Sequence, residues 1–148
     1  MIRQTFGLPK YGWFVRVYYA VTGYYVDEII GRLMDIGCDG KYLENARRSL
    51  SAGDIDSGIT FSNERTGETV IVIELMSCAK EFLKSLRHEA GHLAAHIAQA
   101  ADIDPYGEEI QYIGDDIIEK MWPVARHFLC DDCRTRIKPK TKKYEIET

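Results

Sequence analysis

From Phe82 to Ile97, the apolar residues Phe82, Leu83, Leu86, Ala90, Leu93, Ala94 and Ile97 recur at the three- and four-residue spacing of one helix face. A helix of this length has to bury that stripe against a sheet or another helix, so it constrains whatever surrounds it. Inside it lies Arg87-His88-Glu89-Ala90-Gly91-His92, a His-Glu-x-x-His sequence. Two histidines four apart stand one turn above each other, so His88 and His92 can reach a single metal ion. Glu89 sits one position round from His88, beside such an ion, where a carboxylate can take a proton from water and return it to a leaving group. The plainer reading is an amphipathic helix whose histidines are core or surface groups. Gly91 argues against it, because glycine inside a helix costs about 1 kcal/mol relative to alanine. Close approach of a neighbouring strand would explain that glycine. Ser77 is the expected N-cap, and the helix should run from about Ser77 to Ala101.

The segments before this helix change period twice. Residues 1–11 read as an irregular lead-in, with Pro9 and Gly12 as breakers. Trp13 to Val21 alternates, placing Trp13, Val15, Val17, Tyr19 and Val21 on one side and Arg16 and Tyr18 on the other, a strand pattern. Val26, Ile29, Ile30, Leu33 and Met34 then define a short amphipathic helix, broken between Gly37 and Gly40. Tyr42, Leu43, Ala46 and Leu50 suggest another before Gly53. Ile59 to Ser62 and Thr69 to Ile73 flank Asn63-Glu64-Arg65-Thr66-Gly67-Glu68 and read as a hairpin, its second arm an inner strand covered on one face by helices. After the His-Glu-x-x-His helix, Ile103-Asp104-Pro105 closes the run. Ile110, Ile113, Ile117 and Met121 give the stripe of a last helix, followed by Pro123.

The whole reads as an α+β fold, a small antiparallel or mixed sheet packed against the motif helix. Residues 1–133 form one domain, and 134–148 a basic tail with six Lys or Arg. A hydrophobic fraction of 45% with 28% charged residues is that of an ordinary soluble domain, and no apolar run approaches a membrane span. The N-terminus lacks a signal-peptide core, so the chain is expected to stay in the cytoplasm. A net charge of −4 gives no reason to expect nucleic acid or membrane as partner. Cys130 and Cys133 are one half of a zinc ribbon whose other half is missing; with His127, three residues before Cys130, they would make a Cys/Cys/His cluster needing a distant fourth ligand, and two reduced thiols are the preferred reading.

A catalytic zinc site needs a third protein ligand. His96 continues the four-residue series, but at 1.5 Å rise per residue it starts roughly 12 Å from His88 along the axis, too far for a shared ion. Ala95 and Ala98 occupy the positions where an extended HExxHxxGxxH motif requires glycine and histidine. A carboxylate from the following helix is the better plan, with Glu108 and Glu109 as candidates. The helical wheel mildly favours Glu109, nearer the stripe of Ile113 and Ile117. Either can equally be a solvated carboxylate facing the helix dipole.

His88 to His92 followed by Glu108-Glu109-Ile110-Gln111-Tyr112-Ile113 resembles the small zincin-like, gluzincin-type metallopeptidases of phage and bacterial mobile elements. Their HExxH helix is followed by one of the form Glu-x-x-Ala-Tyr-Leu. Val21 to Ile30 and Ile36-Gly37-Cys38 are similar to segments of that group as well. In this register Tyr112 matches the tyrosine, Ile113 the leucine and Glu108 the first glutamate, while Gln111 departs from the usual alanine. The resemblance covers roughly residues 12–118 and is specific for the helix pair only. It implies a zincin-like fold and a zinc site of His88, His92 and Glu108, with Glu89 as catalytic base acting on a peptide or protein substrate. If the chain is phage-encoded, the compartment is the host cytoplasm. Tyr112 could donate to a tetrahedral intermediate, although an ordinary buried tyrosine is the simpler expectation. The rival class is a non-catalytic zincin-fold protein, acting as a structural or host-interaction factor.

Overall fold

The structure, a computed structural model, describes residues 1–53, 58–76 and 78–131. Ser77, Cys133 and the basic tail therefore lie outside the described residues. Four strands and four α-helices are found among the described residues, in an α+β arrangement. The strands are β1 (Ile2–Leu8), β2 (Trp13–Val21), β3 (Ile59–Asn63) and β4 (Glu68–Glu74), in the spatial order β1-β2-β4-β3. The helices are α1 (Val26–Asp35), α2 (Gly40–Ala52), α3 (Ala79–Ala100) and α4 (Glu109–Ala125). None of them is long and apolar enough to cross a membrane.

The sheet is mixed. β1 runs antiparallel to β2, β2 parallel to β4, and β3 antiparallel to β4. Residues 1–11, expected to be irregular, instead form β1 and a 3-10 turn at Pro9–Tyr11, closed by Gly12 in the left-handed region. The reason is visible in its burial: only Phe6 and Leu8 are buried, so β1 is held by its ladder to β2 and shows no clear apolar alternation.

Alternation does set the two faces of the inner strands. Val15, Val17 and Tyr19 of β2 and Ile71 and Ile73 of β4 join the core under α3 and α4. Tyr18, Val70 and Val72 point the other way, into a second core beneath α1 and α2. β4 is thus covered on both faces, whereas the sequence pattern predicts helices over one. Val21 also changes sides: the β2–β4 register shifts between Tyr18 and Val21, and Ala20 there takes φ +56°. A bulge inserts one residue, so every later side chain turns over.

The hairpin between β3 and β4 closes through Asn63, whose side-chain oxygen accepts from the N–H groups of Arg65 at 3.0 Å and Thr66 at 3.3 Å. Gly67 completes the turn at φ +70°, and a β-carbon there would lie 2.6 Å from the carbonyl oxygen of Gly12. Only glycine lets the two turns pass so closely.

α3 packs its Phe82, Leu86, Leu93 and Ile97 face on the sheet. Its N-cap is Cys78. α4 lies beside it through Ile113, Ile117 and Met121, each fully buried and worth about 1.5–3 kcal/mol of burial. Pro123 sits inside the last turns of α4 rather than after it. Pro105 falls outside α4, whose N-cap is Glu108.

Candidate metal centre

α3 brings the motif to the edge of the sheet. Ile59 and Phe61 of β3 turn toward α1 and α2, which leaves the hydroxyls of Thr60 and Ser62 on the α3 side. Against that hydroxyl-bearing edge α3 sets its polar flank.

His88 and His92 are exposed, and their Nε2 atoms stand 3.0 Å apart with the rings nearly perpendicular at 88°. One Nε2–H donates to the lone pair of the other. Two nitrogens on a tetrahedral zinc at ligand distances near 2.05 Å are separated by about 3.3 Å. The pair is therefore close to the spacing of two ligands of one ion, and both offer the soft-to-borderline nitrogen donors zinc accepts.

Glu89 points inward and is 1% exposed. Thr60 Oγ1 donates to Glu89 Oε1 at 2.7 Å, and the Glu89 backbone carbonyl lies 3.4 Å from the same hydroxyl. Gly58, at φ +149°, makes room for it: a β-carbon there would lie 2.3 Å from the Val72 carbonyl oxygen and 3.1 Å from Glu89 Cγ. Tyr42 of α2 borders this corner, its ring tilted on Phe61, and burial together with the charges of Cys38 and Glu89 raises its pKa.

His96 is half-buried, and its Nδ1 is 2.7 Å from Ser62 Oγ. Burial, then the neighbouring His92, hold it below the ordinary histidine range, while Glu64 acts weakly the other way. Its ring stacks beside His92 with centroids 6.4 Å apart.

Glu108 and Glu109 are placed differently from the histidines. Both are exposed, and the Glu108 carbonyl accepts from the Gln111 N–H at 2.9 Å at the start of α4. Among the described residues no three His, Cys, Asp or Glu side chains gather in a group able to hold a metal ion, so neither glutamate joins His88 and His92 here. The wheel explains the separation. α4 lies along the flank of Arg87, Ala90, Gly91 and Ala94, which at about 100° per residue is turned roughly 120° from the histidine flank. Gly91 faces this groove, with nothing within 4 Å of its β-carbon position, so no strand approach accounts for it. Tyr112 is 58% exposed, contrary to the buried tyrosine expected. Cys130 and His127 are exposed, and Cys133 is outside the described residues.

Residue-type reasoning passed over Gly58, Thr60 and Ser62. The signal was there in Ile59-Thr60-Phe61-Ser62, where alternation puts two hydroxyls together on one side of a strand. Compared with protein-family models, curated proteins and solved structures, the chain has no significant match.

Proposed function

We propose that the chain is a zinc-dependent metallopeptidase of HExxH type. The observation that supports it most is the 3.0 Å separation of the His88 and His92 Nε2 atoms on an open helix flank, with a glutamate between them in sequence. His88 and His92 would hold the ion; Glu108, the third ligand the sequence proposes, lies apart from them, so the described residues bring two protein ligands together. Zinc bound there would supply Lewis acidity, the property that polarises carbonyls and lowers the pKa of bound water towards about 7. Glu89 would take the proton of the attacking water and deliver it to the departing amine. Thr60 keeps the Glu89 carboxylate in one rotamer by its 2.7 Å hydrogen bond, and β3 walls off one side of the site.

A second reading draws on the burial of Glu89, which is 1% exposed and bonded to Thr60. A protein using its metal only for structure or for binding a host partner would tolerate such a glutamate. The zinc-loaded chain, incubated with casein and a mixed fluorogenic peptide panel, separates the two. The proposal predicts hydrolysis that chelation abolishes and zinc restores, and that Glu89→Gln lowers by about 10²–10⁴-fold with metal retained. Bound zinc with no hydrolysis by the unaltered chain, or Glu89→Gln as active as it, favours the non-catalytic reading.

A further inference from the structure

Four side chains from three strands and one helix form an unbroken polar run through the packed layer. Trp13 Nε1–H donates to Thr69 Oγ1 at 2.7 Å, Thr69 Oγ1 lies 2.7 Å from Ser62 Oγ, and Ser62 Oγ lies 2.7 Å from His96 Nδ1. Trp13 is 5% and Thr69 2% exposed, so this run starts inside the core and ends at the site flank.

Its proton order follows from what each group can do. An indole N–H only donates, so Thr69 Oγ1 is an acceptor toward Trp13. The Thr69 proton then needs an acceptor of its own, and the Ser62 oxygen is in place to take it. Were Ser62 to donate to Thr69 instead, the Thr69 hydroxyl proton would be left buried without an acceptor among the described residues, a costly arrangement. With Thr69 donating to Ser62, the Ser62 proton still needs an acceptor, and among the described residues His96 Nδ1 is the group in place to accept it. That nitrogen accepts, and the single ring proton of neutral His96 resides on Nε2.

We infer that His96 serves the site as a hydrogen-bond donor through Nε2–H, not as the third metal ligand, because the Trp13-Thr69-Ser62 run fixes its tautomer from the sheet side. Nε2 has no hydrogen-bond partner among the described residues, and the ring stands next to that of His92. An N–H on the ring next to His92 is suited to an oxygen of the bound substrate, the carbonyl oxygen that gains charge during attack on a peptide bond. This last role rests on the metallopeptidase reading, whereas the tautomer does not.

Long-range proton–nitrogen NMR on the metal-free chain, with 15N-labelled histidine, reads the tautomer directly. The expected result is a protonated Nε2 and a pyridine-type Nδ1 at His96, becoming a mixture in Thr69→Val. A pyridine-type Nε2 in the unaltered chain, or a tautomer unchanged by Thr69→Val, overturns the assignment. Zinc titration of His96→Ala should give a Kd within about threefold of the unaltered chain, whereas loss of about 10²-fold or more makes His96 a ligand. In turnover, His96→Ala should lower kcat by about 10²-fold with KM within about twofold, and His96→Gln, which keeps an N–H donor, should recover part. An unchanged kcat removes the substrate-facing role. If the unaltered chain cleaves no peptide, the metallopeptidase reading falls, and the tautomer and zinc measurements still decide between donor and ligand.

Discussion

Thr60 Oγ1 donates to Glu89 Oε1 at 2.7 Å across the seam between β3 and α3. The bond joins the edge strand of the sheet to the central acid of the HExxH motif, which is otherwise nearly sealed at 1% exposure. A buried carboxylate is tolerated only where donors replace its water, and a strand hydroxyl facing a helix supplies one without any extra chain. Gly58, just before β3, allows the acid to lie against the backbone.

Thr60→Val keeps the β-branched shape and removes the donor. Stability should fall by roughly 1.5–3 kcal/mol, the range for a hydrogen bond to a charged group. Thr60→Ser, which retains the hydroxyl, should lose less than Thr60→Val. Urea unfolding of the two variants and the unaltered chain measures the order, and a Thr60→Val protein as stable as the unaltered one would show the bond to be unimportant.

Gly58→Ala introduces a β-carbon 2.3 Å from the Val72 carbonyl and 3.1 Å from Glu89 Cγ, at φ +149°. Neither backbone nor a buried acid yields cheaply. A loss of roughly 2–4 kcal/mol is expected, read as a lower urea midpoint with an unchanged slope. A change within about 0.5 kcal/mol contradicts the proposed packing.

Ala20 occupies the left-handed region at φ +56°, inside the bulge where β2 shifts register against β4. Glycine adopts that conformation without the alanine penalty of about 1–2 kcal/mol, offset partly by its greater freedom when unfolded. Ala20→Gly should raise stability by up to about 1 kcal/mol. A loss of more than about 1 kcal/mol would mean that the methyl group packs usefully at the bulge.

The sequence conveyed the inner elements well and the edges poorly. Val70 to Ile73 is apolar at every position, and Phe82 to Ile97 keeps one helical face, so β4 and α3 followed from periodicity. β1 did not, because Ile2 to Thr5 bury little and backbone pairing to β2 outweighs side-chain pattern there. The bulge at Ala20 was equally hidden, since nothing in Tyr19-Ala20-Val21 marks a positive φ. At the site, the four-residue spacing of His88 and His92 placed both rings together, as helical geometry requires. Which flank α4 covers depends on the loop from Ala101 to Glu108, and spacing alone does not give the direction of that turn. Glu108 accordingly lies apart from the pair.

Asp116 on α4 offers a test of electrostatics remote from the site. Burial, with Glu119 and Asp115 nearby, raises its pKa despite Lys10 and Lys120. A carboxyl with a folded-state pKa above its unfolded value of about 3.9 contributes stability below that value, and the contribution is lost as pH rises through the folded pKa. Asp116→Asn should therefore raise Tm at pH 7 relative to the unaltered chain, with the difference shrinking towards pH 3. A lower Tm at pH 7 would reverse the sign of the shift.

The central claim is that His88 and His92 share a metal ion. Mass-spectrometric metal analysis of the chain after zinc loading and desalting tests it directly, set against His92→Ala with its fold checked by circular dichroism. About one zinc per chain is expected in the unaltered protein and less than about a tenth of that in the variant, since one imidazole alone does not hold the ion. Zinc absent from both proteins, or retained equally by both, contradicts the account.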